Sequence, residues 1–372
     1  MLAMNPTLLV GPSDWNPSHM SREEFSARAA ALWRAIPSAT CAIVYGDRVN
    51  HAELAYLTHF TPKLEAALAL IPRVGAPQLL VGGGANMLPA AKPLTFIDDL
   101  RPLRDVGQTV AQWVRAQRGS PALIGGAAMP YALHQEIMRA LERPIEDRTD
   151  ELRALMRRKS ERELAAVRDA CVTLQAAMVA ISEAQAARAS ATAAILAGER
   201  AANRRGAQDV RTLFSLDHGR TLRPFETLGE HPVDPLQIYV AVRQCGYWAE
   251  GFAAFSASPN ACTQRARDVL RSAVERMQAG ERCSELARAI AQAAQPFDLH
   301  PVTARVAGNA IGLALEELPF IAAESEDSLE PDGVYSLRVG LSHGREHAIV
   351  SAMVAVHAHG NEMLWSSAQA AP

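Results

Sequence analysis

Ser160-Glu161-Arg162-Glu163 divides this chain. A serine followed three residues later by a glutamate can close a reciprocal helix cap. The hydroxyl accepts from the Glu163 amide and the carboxylate returns to the Ser160 amide. Behind the cap, Leu164, Val167, Cys171, Leu174 and Met178 fall on one helical face, so a long helix opens here. Ahead of it, Asp150–Arg158 is charged and helical in pattern and reads as a connector. A chain of 372 residues has room for two domains. Residues 1–150 and 151–372 are therefore expected to fold separately.

The two halves carry different patterns. In the first, Ser21–Arg34 has apolar residues at helical spacing with Ser21 and Glu24 as a capping pair. Cys41–Tyr45, Leu64–Ile71, Gln78–Val81 and Ala122–Ile124 read as strands, and Val106–Arg115 and Tyr131–Leu141 as amphipathic helices. That alternation predicts an α/β domain with helices covering a sheet. In the second, Leu236–Val242 and Gly246–Phe255 read as strands joined by a short turn. Gln264–Met277 and Cys283–Ala294 read as helices, and Gly333–Val339 and Ala348–Val356 as strands. This is an α+β pattern, an antiparallel sheet backed by helices. The Ala-rich stretch Ala184–Ala197 reads as plain helix. Gly-Glu-Arg at both Gly198 and Gly280 hints at two equivalent helix starts and an internal duplication.

Composition narrows the partners. A formal net charge of −3 without a basic face points away from nucleic acid. Five widely spaced cysteines (Cys41, Cys171, Cys245, Cys262, Cys283), none in a CxxC pair, fit a reducing compartment and a cytoplasmic location. No apolar run reads as a membrane span, and Met1–Pro17 lacks the regions of a signal peptide.

Four segments in order resemble the creatinase/prolidase/methionine aminopeptidase family, peptidase M24. Lys159–Leu164 resembles its K-S-x-x-E-[IL] helix opening, and Gly308-Asn309-Ala310-Ile311-Gly312-Leu313 its G-H-G-I-G-L. Leu329–Arg338 resembles L-x-P-G-M-V-F-T-[VI]-E. The stretch from Asn50 through Tyr56-Leu57-Thr58 to Phe60 resembles N-x-x-Y-L-T-G-F. The resemblance implies a creatinase-like α/β N-terminal domain and a pita-bread α+β C-terminal domain.

It also implies five metal-ligand positions, two Asp, one His and two Glu, which neutralise two close divalent ions and hold a hydroxide between them. Carried over, these fall on Ala241, Glu250, Asn309, Arg338 and Ser351. Only Glu250 remains a hard anionic ligand. A guanidinium such as Arg338 has no lone pair for a metal. No metal and no cofactor are therefore expected. The family's second histidine falls at Glu316 and its upstream one near Pro224. Gly344-Arg345-Glu346-His347 resembles the Y-R-E-H of creatinase, a metal-free C–N hydrolase. Strand parity puts His347, Ile349 and Ser351 on one face.

Two functions stay open. One is a metal-independent enzyme, a hydrolase or related C–N/C–C bond-modifying enzyme on a small amino-acid-like substrate. Its candidate catalytic groups are Glu250, His347 and Glu316, and its candidate substrate-binding residues are Arg338, Asn309, Ser351, Tyr247 and Lys63. Lys63, with Glu65, is a candidate second-subunit contact, because the resemblance implies a homodimer. The other function is a non-catalytic pseudo-peptidase that binds a ligand or partner. In it, Arg338 and Glu250 form a buried salt bridge where the metals would be, and His347 and Tyr247 are structural. Cys245 lacks a clear His/Asn partner, Gly82-Gly83-Gly84 reads as a turn, and His357 and His359 as exposed turn residues.

Overall fold

The computed structural model describes residues 14–63, 65–224 and 229–370. The chain divides between Met156 and Arg157 into two compact units.

The first unit is built on a mixed sheet of β1 (Cys41–Gly46), β2 (Ala67–Pro72), β3 (Gln78–Val81), β4 (Asp99–Pro102), β5 (Pro121–Ile124) and β6 (Glu146–Asp147), in the order β4-β3-β2-β1-β5-β6. β1 runs antiparallel to β2 and parallel to β5. The helices are α1 (Arg22–Ala35), α2 (Ala52–Thr58), α3 (Leu88–Ala91), α4 (Val106–Ala116), α5 (Tyr131–Leu141) and α6 (Thr149–Met156). The α1 cap forms, with the Ser21 hydroxyl accepting from the Glu24 amide. β1 and β2 are buried along their whole length, the pattern of a sheet covered on both faces. Ile43, Leu68, Leu70, Leu80 and Leu123 pack there against Val110, Val114 and Ile137 of α4 and α5. The strand read from Leu64 begins later, at Ala67: Leu64 lies outside the described residues, and Glu65 and Ala66 are described but not in the strand.

The second unit opens with α7 (Glu161–Ala186), whose cap is reciprocal as the sequence predicts. Its length and composition would allow it to cross a membrane. Here it is a core helix: Val167, Leu174, Met178 and Ile181 are fully buried. The Ala-rich stretch is not one helix. α7 stops at Ala186, Arg188 takes φ 56°, and α8 (Ala191–Arg204) restarts from Ser190, whose hydroxyl accepts from the Ala193 amide. Gly198 lies inside α8, packed against Ile181, while Gly280 precedes α10 in a turn at φ 88°. The two Gly-Glu-Arg sites are not equivalent, and the suggestion of a duplication falls. Most of the N-terminal stretch read for a signal peptide lies outside the described residues.

Two antiparallel sheets follow. One is β7 (Asp209–Phe214), β8 (Leu236–Gln244) and β9 (Tyr247–Phe255), in that order. The other comprises β10 (Asp298–Leu299), β11 (Gly308–Ala310), β12 (Glu317–Ile321), β13 (Gly333–His343), β14 (Glu346–His357) and β15 (Gly360–Ser366). Its order is β12-β11-β13-β14-β15, with β10 also on β13. The β8–β9 turn has two residues, Cys245 and Gly246, both at positive φ (49° and 86°). That is the turn whose twist suits a tight hairpin, and it fixes the register.

Helices α9 (Ala261–Arg276) and α10 (Cys283–Ala294) cover one face of the larger sheet. Leu337, Val339 and Leu341 of β13 and Val350, Ala352 and Val354 of β14 enter the core with Leu270, Leu286 and Ile290. Alternation then turns Ser336, Arg338 and Ser351 to the opposite face, toward β9.

Candidate functional site

The two hairpin registers bring the singled-out positions together. Ala241 on β8 is the direct cross-strand partner of Glu250 on β9. Arg338 on β13 is the direct partner of Ser351 on β14, and Asn309 on β11 pairs with Ser336. Direct partners in an antiparallel pair project their side chains from the same face.

On that face the Arg338 guanidinium is enclosed. Its Nη2 lies 3.2 Å from Glu250 Oε1, with the two side chains 11% and 3% exposed. The same Nη2 donates to Asn309 Oδ1. The contact to Glu250 is an ion pair without an aligned hydrogen bond, since Oε1 finds no hydrogen-bond partner. The other carboxylate oxygen accepts from the Tyr239 hydroxyl at 2.6 Å. Burial, and then the Glu250 charge, push the Tyr239 pKa up, so the phenol stays a donor. Asn309 Nδ2 donates to the carbonyls of Ala310 and Leu315 at 2.8 and 3.2 Å. Ser351 faces β9, where its Oγ accepts from the Phe252 amide at 2.7 Å.

Other candidates lie elsewhere. Tyr247 is buried with its hydroxyl 3.0 Å from Glu163 Oε1, so it fastens β9 to the cap of α7 instead of lining the site. Glu316 is exposed to solvent. Its neighbour Glu317 turns inward and takes the Lys159 ammonium at 2.7 Å. Lys63 belongs to the first unit, in the segment before β2. His347 is half-buried and pairs with Ser342 across the β13–β14 hairpin, Nδ1 to Oγ 2.9 Å. Four residues of strand, about 13 Å, separate it from Ser351, so it does not reach the Glu250–Arg338 pair. The Cys245 thiol pKa is raised by burial, which removes thiolate rather than supplying it. His357 meets Glu362 at 3.4 Å, and His359 is exposed in the following turn.

Two residues were not singled out in the sequence. Tyr239 lies two positions before Ala241 on the same strand face. Gln237 is a fully buried amide between Leu236 and Ile238, and that contrast was the available signal. Its Oε1 accepts from the Ile349 amide at 2.8 Å. Its Nε2 donates to the Ile349 and Ala253 carbonyls at 2.9 and 3.0 Å, tying the two sheets together.

His347 has a partner of its own. The His300 ring stands edge-on to it, centroids 5.7 Å apart, and is almost fully buried. His300 Nδ1 accepts from the Val302 amide at 3.2 Å, which assigns the proton to Nε2. Burial, and then His347, depress the His300 pKa below its usual 6.5, against the opposing pull of the Gly219 and Arg220 backbone and, last, of Asp217. Between that depressed value and about 6.5 the unfolded chain holds the proton more tightly than the folded one, so stability falls as pH falls through this window. Thermal unfolding between pH 7 and pH 5 should show it, and His300→Gln should flatten the slope. An unchanged slope would place the titration on another group.

The fold of the second unit, two antiparallel sheets with helices outside, is the pita-bread fold. A profile of Metallopeptidase family M24 matches residues 128–358, well over half of the chain, and the chain belongs to that family. The chain resembles the prolidase of Pyrococcus horikoshii OT3 at 15% identity and a TM-score of 0.75, covering 91% of this chain and 97% of that one. It resembles an X-Pro aminopeptidase of Thermotoga maritima MSB8 at 17% identity and a TM-score of 0.75, covering 90% and 96%. It resembles a dipeptidase of Mycobacterium ulcerans at 18% identity and a TM-score of 0.71, covering 95% and 97%. At these identities the likeness establishes the fold. No curated protein matches the sequence.

Membership implies divalent metal, and the residues gathered here do not fit a pair of ions. The set offers one carboxylate, already shared between a phenol and a guanidinium. Two close cations need several anionic ligands, and a fixed cation among them repels both. Among the described residues, no group of three or more His, Cys, Asp or Glu is placed to hold a metal ion.

Proposed function

We propose that the protein is a metal-independent M24-family member that binds a small peptide or amino-acid-like ligand and does not hydrolyse it by the family's metal-hydroxide route. The reading rests on the Arg338 guanidinium, enclosed between Glu250 and Asn309 at the positions the resemblance assigns to ion ligands. Amide hydrolysis at neutral pH needs an activated water, and a metal supplies it by lowering the water's pKa. Glu250 is almost fully buried, held by Tyr239 through one oxygen and facing the Arg338 guanidinium with the other, which leaves no exposed carboxylate oxygen for a substrate water. The ligand class comes from the similar proteins, whose names mark them as acting on dipeptides and Xaa-Pro peptides.

The alternative, a metal-independent enzyme, draws on His347, a half-buried imidazole bonded to Ser342. It has to work away from Glu250, which weakens it.

The test pairs elemental analysis with activity and binding. Protein purified in Mn²⁺-containing buffer should retain no stoichiometric metal and should leave Xaa-Pro dipeptides uncut. The same dipeptides should raise its melting temperature. Two metal atoms per chain with EDTA-sensitive cleavage would overturn metal independence, and a melting temperature indifferent to every dipeptide would overturn the ligand class.

A further inference from the structure

We propose that the Arg211 guanidinium, lying on the indole of Trp248, is the subsite that takes the ligand's carboxylate. The inference deepens the ligand class given above and rests on it, but it uses other residues than the Glu250–Arg338 pair.

Strand register puts the parts on one face. Arg211 on β7 is the direct partner of Ala241 on β8, and Ala241 in turn stands opposite Glu250 on β9. One rung away, Asp209 lies across from Arg243, and Arg243 from Trp248. Two strand spacings, about 10 Å of backbone, therefore separate Arg211 from Glu250, and the residue between them is an alanine.

The guanidinium is held on two sides and open at one end. Its carbon lies 4.6 Å from the Trp248 ring centroid. Trp248 is 3% exposed, so the indole is a fixed floor, whereas the Arg211 side chain is 56% exposed. Nε and Nη2 both turn to a single oxygen, Asp209 Oδ2, at 3.4 and 3.2 Å. Among the described residues Nη1 has no hydrogen-bond partner. Nη1 and the second hydrogen of Nη2 form a donor pair that the protein does not use. A carboxylate matches that pair, accepting two parallel N–H bonds in the guanidinium plane.

The neighbours favour this use. An arginine that binds an anion gives up rotamer freedom, and here the stacking on Trp248 and the Asp209 contact have already removed much of it. Asp209 is shared, because the buried Arg243 across the ladder feels the same carboxylate. Half-buried Tyr239 feels the Arg211 charge, so the subsite adjoins the Tyr239–Glu250 bond.

The experiment is calorimetric titration of the full chain with Ala-Pro, Leu-Pro and Gly-Leu, each as free acid and as C-terminal amide. Wild type should bind the acids roughly tenfold or more tightly than the amides. Arg211→Gln should bind both forms alike, at the affinity wild type shows for the amide. Its melting temperature should stay within about 2 °C of wild type, since the side chain is exposed. Arg211→Lys keeps the charge without the planar fork and should discriminate less than wild type.

Equal binding of acid and amide by wild type would overturn the carboxylate subsite and leave the peptide ligand class standing. So would an acid preference that survives in Arg211→Gln or is undiminished in Arg211→Lys. Wild type that holds metal and cleaves Ala-Pro would overturn the metal-independent reading and leave the comparison of acid with amide intact. Binding of none of the six compounds would overturn the ligand class and the subsite together.

Discussion

Replacing Arg338 by alanine should lower the stability of the second unit by about 3–5 kcal/mol, because it strands the Glu250 carboxylate in the interior. For a unit of this size that is a fall in melting temperature of roughly 6–20 °C. The magnitude follows from asymmetry. The intact pair gains little net energy, since taking two charges out of water nearly cancels their attraction, but one charge left behind has nothing to offset its lost hydration. The double variant Arg338→Met with Glu250→Gln removes both charges and keeps an amide oxygen as acceptor for the Tyr239 hydroxyl. It should recover most of the loss, and the double-mutant cycle then measures the coupling directly. An Arg338→Ala protein within about 0.5 kcal/mol of wild type would mean the guanidinium is solvated and the pair is a surface one.

The ingredients of this pair were legible in the sequence because β-structure has a short memory. By pattern the first strand ends at Val242 and the second opens at Gly246; the turn is instead Cys245-Gly246, and only from that register does Ala241 stand opposite Glu250. The alternation Ser336, Arg338 against Leu337, Val339 tells which face of β13 is core. The α7 cap was equally plain, since its bonds lie within four residues.

What was not legible is set by groups distant in sequence. The break between α7 and α8 is hidden because the residues around it are mostly alanine, and Ser190, with its preference for capping, was the clearest cue. His347 met His300 rather than the Glu250 site, a contact between β14 and a loop 47 positions away that no periodicity announces. Tyr247 was a candidate substrate contact because it stands three residues before Glu250 in the sequence. Its real partner, Glu163, already had a complete role as the α7 cap. The short strands β4, β6 and β12 are polar or proline-bearing and carry no alternation to read.

Gln237→Leu should cost about 2–5 kcal/mol, comparable with losing Arg338, although the change makes the strand more hydrophobic. The Ile349 N–H and C=O both use the Gln237 amide, and leucine leaves the two groups buried without partners. The more telling substitution is Gln237→Glu. At neutral pH a carboxylate still accepts from the Ile349 amide but cannot donate to the Ile349 carbonyl, and it adds a buried charge. Burial raises the pKa of such an acid well above the usual carboxylate range. As pH falls through that raised value the acid gains a proton and becomes a donor again, so the folded state takes up the proton more readily than the unfolded one. Stability of Gln237→Glu relative to wild type should therefore rise on acidification, opposite in sign to the loss expected from His300. Calorimetry of the two proteins from pH 8 to pH 5 separates the trends. A relative stability of Gln237→Glu that does not change with pH would mean its carboxylate reaches water and that position 237 is not sealed between the two sheets.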